Sequence, residues 1–235
     1  MGKTEAKRHA AQEAVGLVEE GMIVGLGTGS SAAIAIELLG QRVAGGLQVR
    51  GVPTSEATAA QARALGIPLV GLDVIDHVDV TLDGADEILE DGSAIKGGGG
   101  ALLREKVVAA LTREFRVAVV DASKLVRRLG RFPLPVEVVP FARPAVERAI
   151  AKLGGQPAWR RRDGAAVLTD NGNHLIDARF EPRDGWEEIA SALSLLPGVV
   201  AHGLFLDCFD VIVVGEDSGA QLLRVIRAQE RFPLL

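Results

Sequence analysis

The chain has 235 residues, a formal net charge of -5 and 48% hydrophobic residues. This length can bury a substantial core and suits one large domain, or a main domain with a smaller one. The negative charge argues against nucleic acid as a partner, and no apolar run approaches the roughly 20 residues that a membrane-spanning helix needs. The N-terminal residues are polar and lack the apolar core of a signal peptide, so we expect a soluble cytoplasmic protein.

Two residue types argue against further classes of site. The single cysteine, Cys208, cannot form an internal disulfide, and its apolar neighbours predict a buried packing role. The four histidines are scattered singly, without the spacing of metal ligands. The sequence therefore does not predict a metal site.

The first half of the chain alternates short apolar runs with helical patterns, which is typical of βαβ units around a parallel sheet. The predicted strands cover residues 22–26, 49–53, 68–72, 78–82 and 115–120. The predicted helices cover residues 3–20, residues 32–39 with Ser30 or Ser31 as cap and Gly40 as end, and a segment that Ser55 caps and that ends near Gly66. Ligands of open α/β sheets bind beyond the carboxyl ends of the strands, so polar residues that follow these strands are candidate site residues.

The pattern changes near residue 131, where Pro133 and Pro135 mark a boundary. Beyond it we predict, in order, a strand over 136–139, a helix over 144–153, strands over 165–169 and 174–180, a helix over 185–195 and a strand over 199–203. Asn171-Gly172 between the middle two strands predicts a hairpin, and the βαββαβ order is the ferredoxin-like arrangement. A last buried strand over 209–214 is expected to return to the first sheet.

These elements predict an α/β fold with a parallel-rich, Rossmann-like open sheet and flanking helices, plus a smaller ferredoxin-like α+β domain. The catalytic α/β domain would comprise residues 1–130 and 204–235. The small domain would comprise residues 131–203 and could serve an oligomer interface.

Four consecutive glycines, residues 97–100, follow Lys96 directly. Glycines weaken helices and strands, so they make sense where backbone N–H groups must approach a ligand closely. A helical run follows, and Glu105 lies about one and a half turns from the glycines, which lets its carboxylate face the same pocket. The alternative is a solvated glutamate paired with a neighbouring arginine.

Three further polar clusters flank predicted elements: residues 27–31 (Gly-Thr-Gly-Ser-Ser), 83–87 (Asp-Gly-Ala-Asp-Glu) and 121–124 (Asp-Ala-Ser-Lys). A small-residue loop before a helix N-terminus suits a phosphate or carboxylate. The dinucleotide fingerprint matches only loosely, because Ser30 stands where its last glycine belongs. Acidic residues beside glycine also serve as turn and capping residues. Together, however, the clusters indicate a site for an anionic, hydroxyl-rich small molecule.

These motifs, in this order, resemble the Thr-Gly-Ser-Thr, Asp-Gly-Ala-Asp, Lys-Gly-Gly-Gly and Asp-x-Ser-Lys segments of type A ribose-5-phosphate isomerases. The resemblance covers the whole domain plan, and Arg104-Glu105-Lys106 matches the segment with the family's proton-abstracting glutamate. One departure is Ser31, where the family usually has threonine. The resemblance implies interconversion of D-ribose 5-phosphate and D-ribulose 5-phosphate in the pentose phosphate pathway, without metal or organic cofactor, by a homodimer or homotetramer.

The chemistry of aldose–ketose isomerisation then suggests a role for each residue. Glu105 would move the proton between C2 and C1, Asp83 would serve ring opening and the oxygen protons, and Lys96 with the neighbouring N–H groups would stabilise the enediolate. Asp86 would hold sugar hydroxyls. The predicted substrate-binding residues are Lys7, Thr28, Gly29, Ser30, Ser31, Asp83, Gly84, Ala85, Asp86, Lys96, Gly97, Gly98, Gly99 and Lys124, with the phosphate near residues 28–31, Lys124 and Lys7.

Three other functions remain open on these residues. Ligand-sensing domains of some bacterial regulators and coenzyme A transferases have related folds, and the latter use a glutamate nucleophile. Aminosugar deaminases within the wider sugar-phosphate group are the closest rival. A phosphate cradle with Asp83 beside Glu105 favours isomerisation.

Overall fold

The computed structural model describes residues 2–225, in which two main sheets and six helices form the fold. The helices are α1 (Gly2–Gly16), α2 (Ser30–Ala44), α3 (Glu56–Ala64), α4 (Leu102–Leu111), α5 (Arg143–Lys152) and α6 (Trp186–Ser194). The strands are β1 (Ile23–Leu26), β2 (Arg50–Pro53), β3 (Val78–Asp83), β4 (Glu87–Ile88), β5 (Ala94–Ile95), β6 (Thr112–Asp121), β7 (Leu134–Val138), β8 (Gln156–Trp159), β9 (Arg161–Arg162), β10 (Ala165–Ala166), β11 (His174–Arg179), β12 (Val199–His202), β13 (Leu204–Phe205), β14 (Val211–Glu216) and β15 (Gly219–Arg224).

The large sheet has the strand order β15-β14-β6-β3-β1-β2, and all of its strands run parallel except the edge strand β15. Alternate residues of β6 pack into cores on opposite faces, with Val117 and Val119 on the side of α1 and α2, and Ala118 and Val120 on the other. Both faces are therefore covered, as a parallel sheet requires. The predicted Rossmann-like class is confirmed, and the strand predicted over 209–214 does return to this sheet as β14.

Three predicted elements in the first half differ from the structure. The helix predicted over 3–20 ends at Gly16. The strand predicted over 68–72 is reduced to one bridge between Leu69 and Gly51, followed by a 3-10 turn. The helix predicted to stop at Gly40 continues to Ala44. Gly40 is buried against Leu65, where a Cβ would lie 2.8 Å from the leucine Cβ, so this glycine permits helix packing and does not end a helix.

The small sheet has the antiparallel order β12-β7-β11-β8 and packs its core against α5 and α6. This order is the ferredoxin-like arrangement that the sequence predicts. The second strand, however, is β8 and not residues 165–169, because Ala165 and Ala166 pair with the short strand β9. The Asn171-Gly172 turn does form, closed by a hydrogen bond from Thr169 N to the carbonyl of Asn173 and one bridge beyond it.

A third sheet has three strands in the order β13-β5-β4 and lies between the large sheet and the small sheet. Lys96 follows β5 directly. The division into domains of residues 1–130 with 204–235 and residues 131–203 stays a prediction, and residues 226–235 lie outside the described residues. None of the helices within residues 2–225 is long and apolar enough to cross a membrane.

Candidate active site

A small polar cavity of about 110 Å³ opens where the carboxyl ends of β1 and β3 meet the glycine loop before α4. Its walls come from the four polar clusters of the sequence and from α1. The lining residues are Lys7, Thr28, Gly29, Ser30, Ser31, Gly84, Ala85, Asp86, Lys96, Gly97, Gly98, Gly99, Glu105 and Lys124. Every predicted site residue except Asp83 thus lines this cavity, and Asp83 contacts the lining residue Lys96.

A buried lysine between two buried carboxylates forms the charged centre of the site. The Lys96 ammonium lies 3.0 Å from Asp83 Oδ2 and 3.4 Å from Glu105 Oε2, and it donates a hydrogen bond of 2.6 Å to the Gly84 carbonyl. All three charged side chains are at most 3% exposed. One ammonium therefore faces two carboxyl groups in a medium of low polarity, and the second carboxylate is not neutralised.

The pKa values of the three groups follow from this arrangement. Burial raises the pKa of Glu105 to about 8, and the nearby charge of Asp83 adds to the shift. Burial also raises the pKa of Asp83 above its ordinary value, against the attraction of Lys96. Burial alone would lower the pKa of Lys96, but Asp83 and Glu105 outweigh it and raise that pKa. Lys96 is therefore a permanent cation, and Glu105 can take up and return a proton near neutral pH.

Helix α4 directs Glu105 inward. Leu102, Glu105, Val108 and Ala109 are its buried residues, and their spacing of three and four places them on one helical face. Glu105 Oε2 contacts Lys96 but has no hydrogen-bond partner among residues 2–225. The Glu105 side chain also lines the cavity, so its carboxyl group can approach a bound molecule.

The glycine loop needs its glycines for two separate reasons. Gly97 and Gly100 have φ values of 102° and 87°, a left-handed region that side chains with a Cβ rarely adopt. At Gly98 the reason is space, because a Cβ would lie 2.7 Å from Asp86 Oδ1. The Gly98 N–H instead donates to Asp86 Oδ2 at 2.8 Å. The loop therefore presents its backbone to the cavity and holds the Asp86 carboxylate in place.

The carboxylate of Asp83 is fully engaged away from the cavity. Its Oδ1 accepts hydrogen bonds from the N–H groups of Gly84 at 2.7 Å and Thr28 at 3.3 Å, while Oδ2 binds Lys96. Gly27 is required at this contact, because a Cβ there would lie 2.2 Å from Asp83 Oδ1. Asp83 thus joins the first loop to Lys96, and its role in ring opening stays a prediction.

The part of the cavity next to the start of α2 suits an anion. Helix α2 begins at Ser30 with Gly29 as its N-cap, and no side chain caps it, so the predicted Ser30 or Ser31 cap is wrong. Its first N–H groups are free of a side-chain cap, which is the arrangement that binds phosphate. Lys7 from α1 reaches this end and donates a hydrogen bond of 2.9 Å to Ser30 Oγ, and Lys124 lines the same cavity.

Thr28 contributes differently from its neighbours. Its hydroxyl forms hydrogen bonds with the hydroxyls of Thr54 at 2.8 Å, Ser55 at 2.9 Å and Thr58 at 3.1 Å, at the start of α3. The side-chain oxygen is therefore used within the protein, and the Thr28 methyl group lies 3.4 Å from the Cβ position of Gly99. We expect no hydroxyl contact from Thr28 to a bound phosphate.

One charged residue near the site was missed from the sequence. The Arg160 guanidinium, from the small sheet, donates to the carbonyls of Gly97 and Gly98 at 3.1 Å each. Arg160 is the first of three consecutive arginines, about sixty residues after the glycine loop, and it belongs to no recognisable motif. Within residues 2–225 no group of three or more histidine, cysteine or acidic residues is placed to hold a metal ion.

The family model for ribose 5-phosphate isomerase A (phosphoriboisomerase A) matches residues 50–219. The chain belongs to this family. It is 47% identical to ribose-5-phosphate isomerase A of Bradyrhizobium diazoefficiens, with 98% of each chain covered, and 50% identical to that of Nitrobacter hamburgensis, with 94% of this chain and 96% of the relative covered.

Solved structures of the family agree with the fold. The ribose 5-phosphate isomerase A of Methanocaldococcus jannaschii is 43% identical and superposes with a TM-score of 0.89 over 94% of this chain and 98% of that one. A D-ribose-5-phosphate isomerase in complex with phospho-erythronic acid is 36% identical, with a TM-score of 0.91 over 95% of this chain and 100% of that one. As a member of the family, this chain is an isomerase.

Proposed function

We propose that the chain interconverts D-ribose 5-phosphate and D-ribulose 5-phosphate by moving a proton between C2 and C1 through a cis-enediolate, with Glu105 as the base. The reaction is that of the family. The observation that supports the base is the buried Glu105 carboxyl group, which lines the cavity beside Lys96 and has a pKa of about 8. The test is a coupled assay for ribulose 5-phosphate, with and without a chelator; absence of product would contradict the proposal.

The substrate would lie with its phosphate at the start of α2 and its reacting carbons at the glycine loop. Ser30, Ser31, Lys7 and Lys124 supply hydroxyl donors and positive charge at one end. This leaves C1 and C2 beside Glu105, which lines the same cavity.

The reaction would develop negative charge on the oxygens of C1 and C2. Lys96 lies beside the proposed base, where a cation would stabilise that charge. Its ammonium touches both carboxylates, so it can neutralise the enediolate as Glu105 takes the carbon proton. Asp83 would support the oxygen proton transfers through Lys96, because it contacts the ammonium and not the cavity. Asp86, held by the Gly98 N–H, would bind sugar hydroxyls.

The pH dependence of kcat/KM tests the state of Glu105. A base must be unprotonated, so kcat/KM should rise as the pH passes about 8, the pKa of Glu105, and level off above it. Lys106 provides the control, because burial lowers its pKa to about 8 as well. The Lys106→Met variant should keep the inflection near pH 8. Loss of the inflection in this variant would assign the titration to Lys106 and not to Glu105.

The Lys124→Ala change tests the phosphate end. Lys124 lines the cavity and makes no ion pair with the buried charge cluster in residues 2–225, so its loss should raise KM by about 10-fold or more while kcat changes little. Steady-state kinetics measure this, with the exposed α5 residue in Lys152→Ala as the matched control. A fall in kcat at unchanged KM would place Lys124 at the reacting end instead.

We also propose that the chain works in the cytoplasm as a homodimer or homotetramer. Support for the assembly comes from two exposed apolar side chains, Phe141 in the 3-10 turn before α5 and Leu195 just after α6, which are 96% and 82% exposed. Sedimentation equilibrium of the wild type should give a mass of two or four chains, and Phe141→Ser should lower it. A monomer at micromolar concentration would contradict the assembly.

A further inference from the structure

The glycine loop is held on its carbonyl side by Arg160, a residue next to the small sheet. Arg160 lies between β8 and β9, and one nitrogen of its guanidinium, Nη1, donates to the carbonyls of Gly97 and Gly98 at 3.1 Å each. The Gly97 carbonyl also accepts from the Gly100 N–H at 3.0 Å. The carbonyl side of the loop is thus bound to the protein, while the loop residues Gly97, Gly98 and Gly99 line the cavity.

Arg160 is itself fixed in orientation. Its Nε donates to Asp177 Oδ2 at 2.8 Å and its Nη2 donates to Asp177 Oδ1, which makes a two-pronged pair with a carboxylate on β11. The Arg160 side chain is only 15% exposed. A paired, planar guanidinium with little freedom can hold its remaining donors at fixed positions.

The two carbonyls belong to the peptide groups that carry the next N–H groups along the chain. The Gly97 carbonyl shares its peptide with the Gly98 N–H, and the Gly98 carbonyl shares its peptide with the Gly99 N–H. A positive charge on a carbonyl oxygen draws electron density from the whole peptide group, so both N–H groups become stronger donors. The Gly98 N–H holds Asp86 at 2.8 Å, and Gly99 lines the cavity.

Given the proposed isomerase function, we infer that Arg160 is a positioning residue for the reaction. It fixes the glycine loop from the carbonyl side and polarises the Gly98 and Gly99 peptides, which strengthens the N–H groups that face Asp86 and the enediolate. Asp177 orients Arg160 in turn. The small sheet thereby contributes to transition-state stabilisation without touching the substrate.

The Arg160→Met variant tests this role. Loss of a complete oxyanion donor costs roughly 100-fold in kcat, so weakening the Gly99 donor, together with the Gly98 donor that holds Asp86, should lower kcat by about 10-fold, with KM for D-ribose 5-phosphate changed less than about 2-fold. Phospho-erythronic acid serves as a probe, because its carboxylate carries negative charge near the position at which the enediolate would carry it. Its inhibition constant should rise by about the same factor as kcat falls, and that of inorganic phosphate should not.

Three further variants distinguish the loss of peptide polarisation from a general disruption of the region around Arg160. Arg160→Met/Asp177→Asn removes the unpaired carboxylate that the single change leaves, and it should show the same loss of kcat with a melting temperature closer to the wild type. Arg160→Lys retains the positive charge but not the planar guanidinium that bonds to Asp177 through two nitrogens. This variant should recover part of the lost kcat. Arg143→Met removes a different ion pair of the small domain, with Glu147 at 2.7 Å, and should leave kcat unchanged.

The wild-type protein shows first whether the isomerase reaction occurs, so failure of the proposed function is distinct from failure of this inference. In an active wild type, either of two results would overturn the role of Arg160. One is a kcat within about 2-fold of the wild type in Arg160→Met. The other is equal weakening of phospho-erythronic acid and inorganic phosphate, which would assign Arg160 to the general shape of the site.

Discussion

Glu105→Gln is expected to lower kcat by roughly 100- to 10,000-fold, because the amide keeps the size of the side chain but cannot accept the carbon proton. Binding should survive the change. The buried position is filled equally well, and the variant removes the uncompensated charge beside Asp83 and Lys96. Titration calorimetry with phospho-erythronic acid should therefore give an affinity within a few fold of the wild type.

Glu87→Gln is the matched control for that prediction. Glu87 is also a buried carboxylate, but its oxygens accept from the N–H groups of Gly130 and Phe132 at 2.7 and 2.8 Å, outside the cavity. An amide there turns one acceptor into a donor, so we expect a lower melting temperature with kcat nearly unchanged. If Glu105→Gln kept kcat within about 10-fold of the wild type, Glu105 would not be the base.

Lys96→Met is expected to have the second largest effect, a loss of roughly 100- to 1,000-fold in kcat, since the cation nearest the enediolate disappears. It should also destabilise the fold by about 3–5 kcal/mol, the cost of leaving one partner of a buried ion pair uncompensated. Both Asp83 and Glu105 would then face each other without a cation between them. Steady-state kinetics and urea unfolding measure the two effects separately.

The double variant Lys96→Met/Asp83→Asn distinguishes catalysis from stability. It removes the carboxylate that Lys96 neutralises, so most of the lost stability should return while kcat stays low. Recovery of kcat together with stability would show that Lys96 acts only on the fold. Continued low stability with normal kcat would contradict both the ion-pair geometry and the proposed role of the ammonium.

The sequence predicts well what local chemistry determines. Polar residues at the carboxyl ends of buried strands, such as Asp83 at the end of β3, reach the same edge of a parallel sheet whatever the details of the loops. The four glycines at 97–100 likewise indicate a backbone surface before any fold is known. Together with the ordered motifs, these features suffice to predict the cavity wall.

Features that depend on tertiary contact were missed or assigned incorrectly. Arg160 acts on carbonyls about sixty residues earlier, and only the docking of the two sheets brings them together. The Thr28 hydroxyl turns toward Thr54 and Ser55 because α3 begins beside it. Strand β8 escaped notice because it is an edge strand with Pro157 and no fully buried residue.

The Asn171-Gly172 turn also contacts α3 and α4, which the sequence pattern alone could not predict. Arg104, next to the proposed base, donates to Asn171 Oδ1 at 3.1 Å, and Asp170 accepts from the Glu56 N–H at 2.8 Å. Buried Glu137 holds this turn through Asn171 and two further side chains. The hairpin therefore braces α3 and α4 where they approach the cavity.

Deuterium incorporation during turnover in D2O tests the central claim most directly. If Glu105 carries the proton between C2 and C1, NMR of the product from D-ribose 5-phosphate should show deuterium at C1 of D-ribulose 5-phosphate with the wild type, and Glu105→Gln should abolish it. Incorporation by Glu105→Gln at the wild-type rate would contradict the account. Complete transfer of the C2 proton to C1 by the wild type would not, because one base can return the proton that it takes.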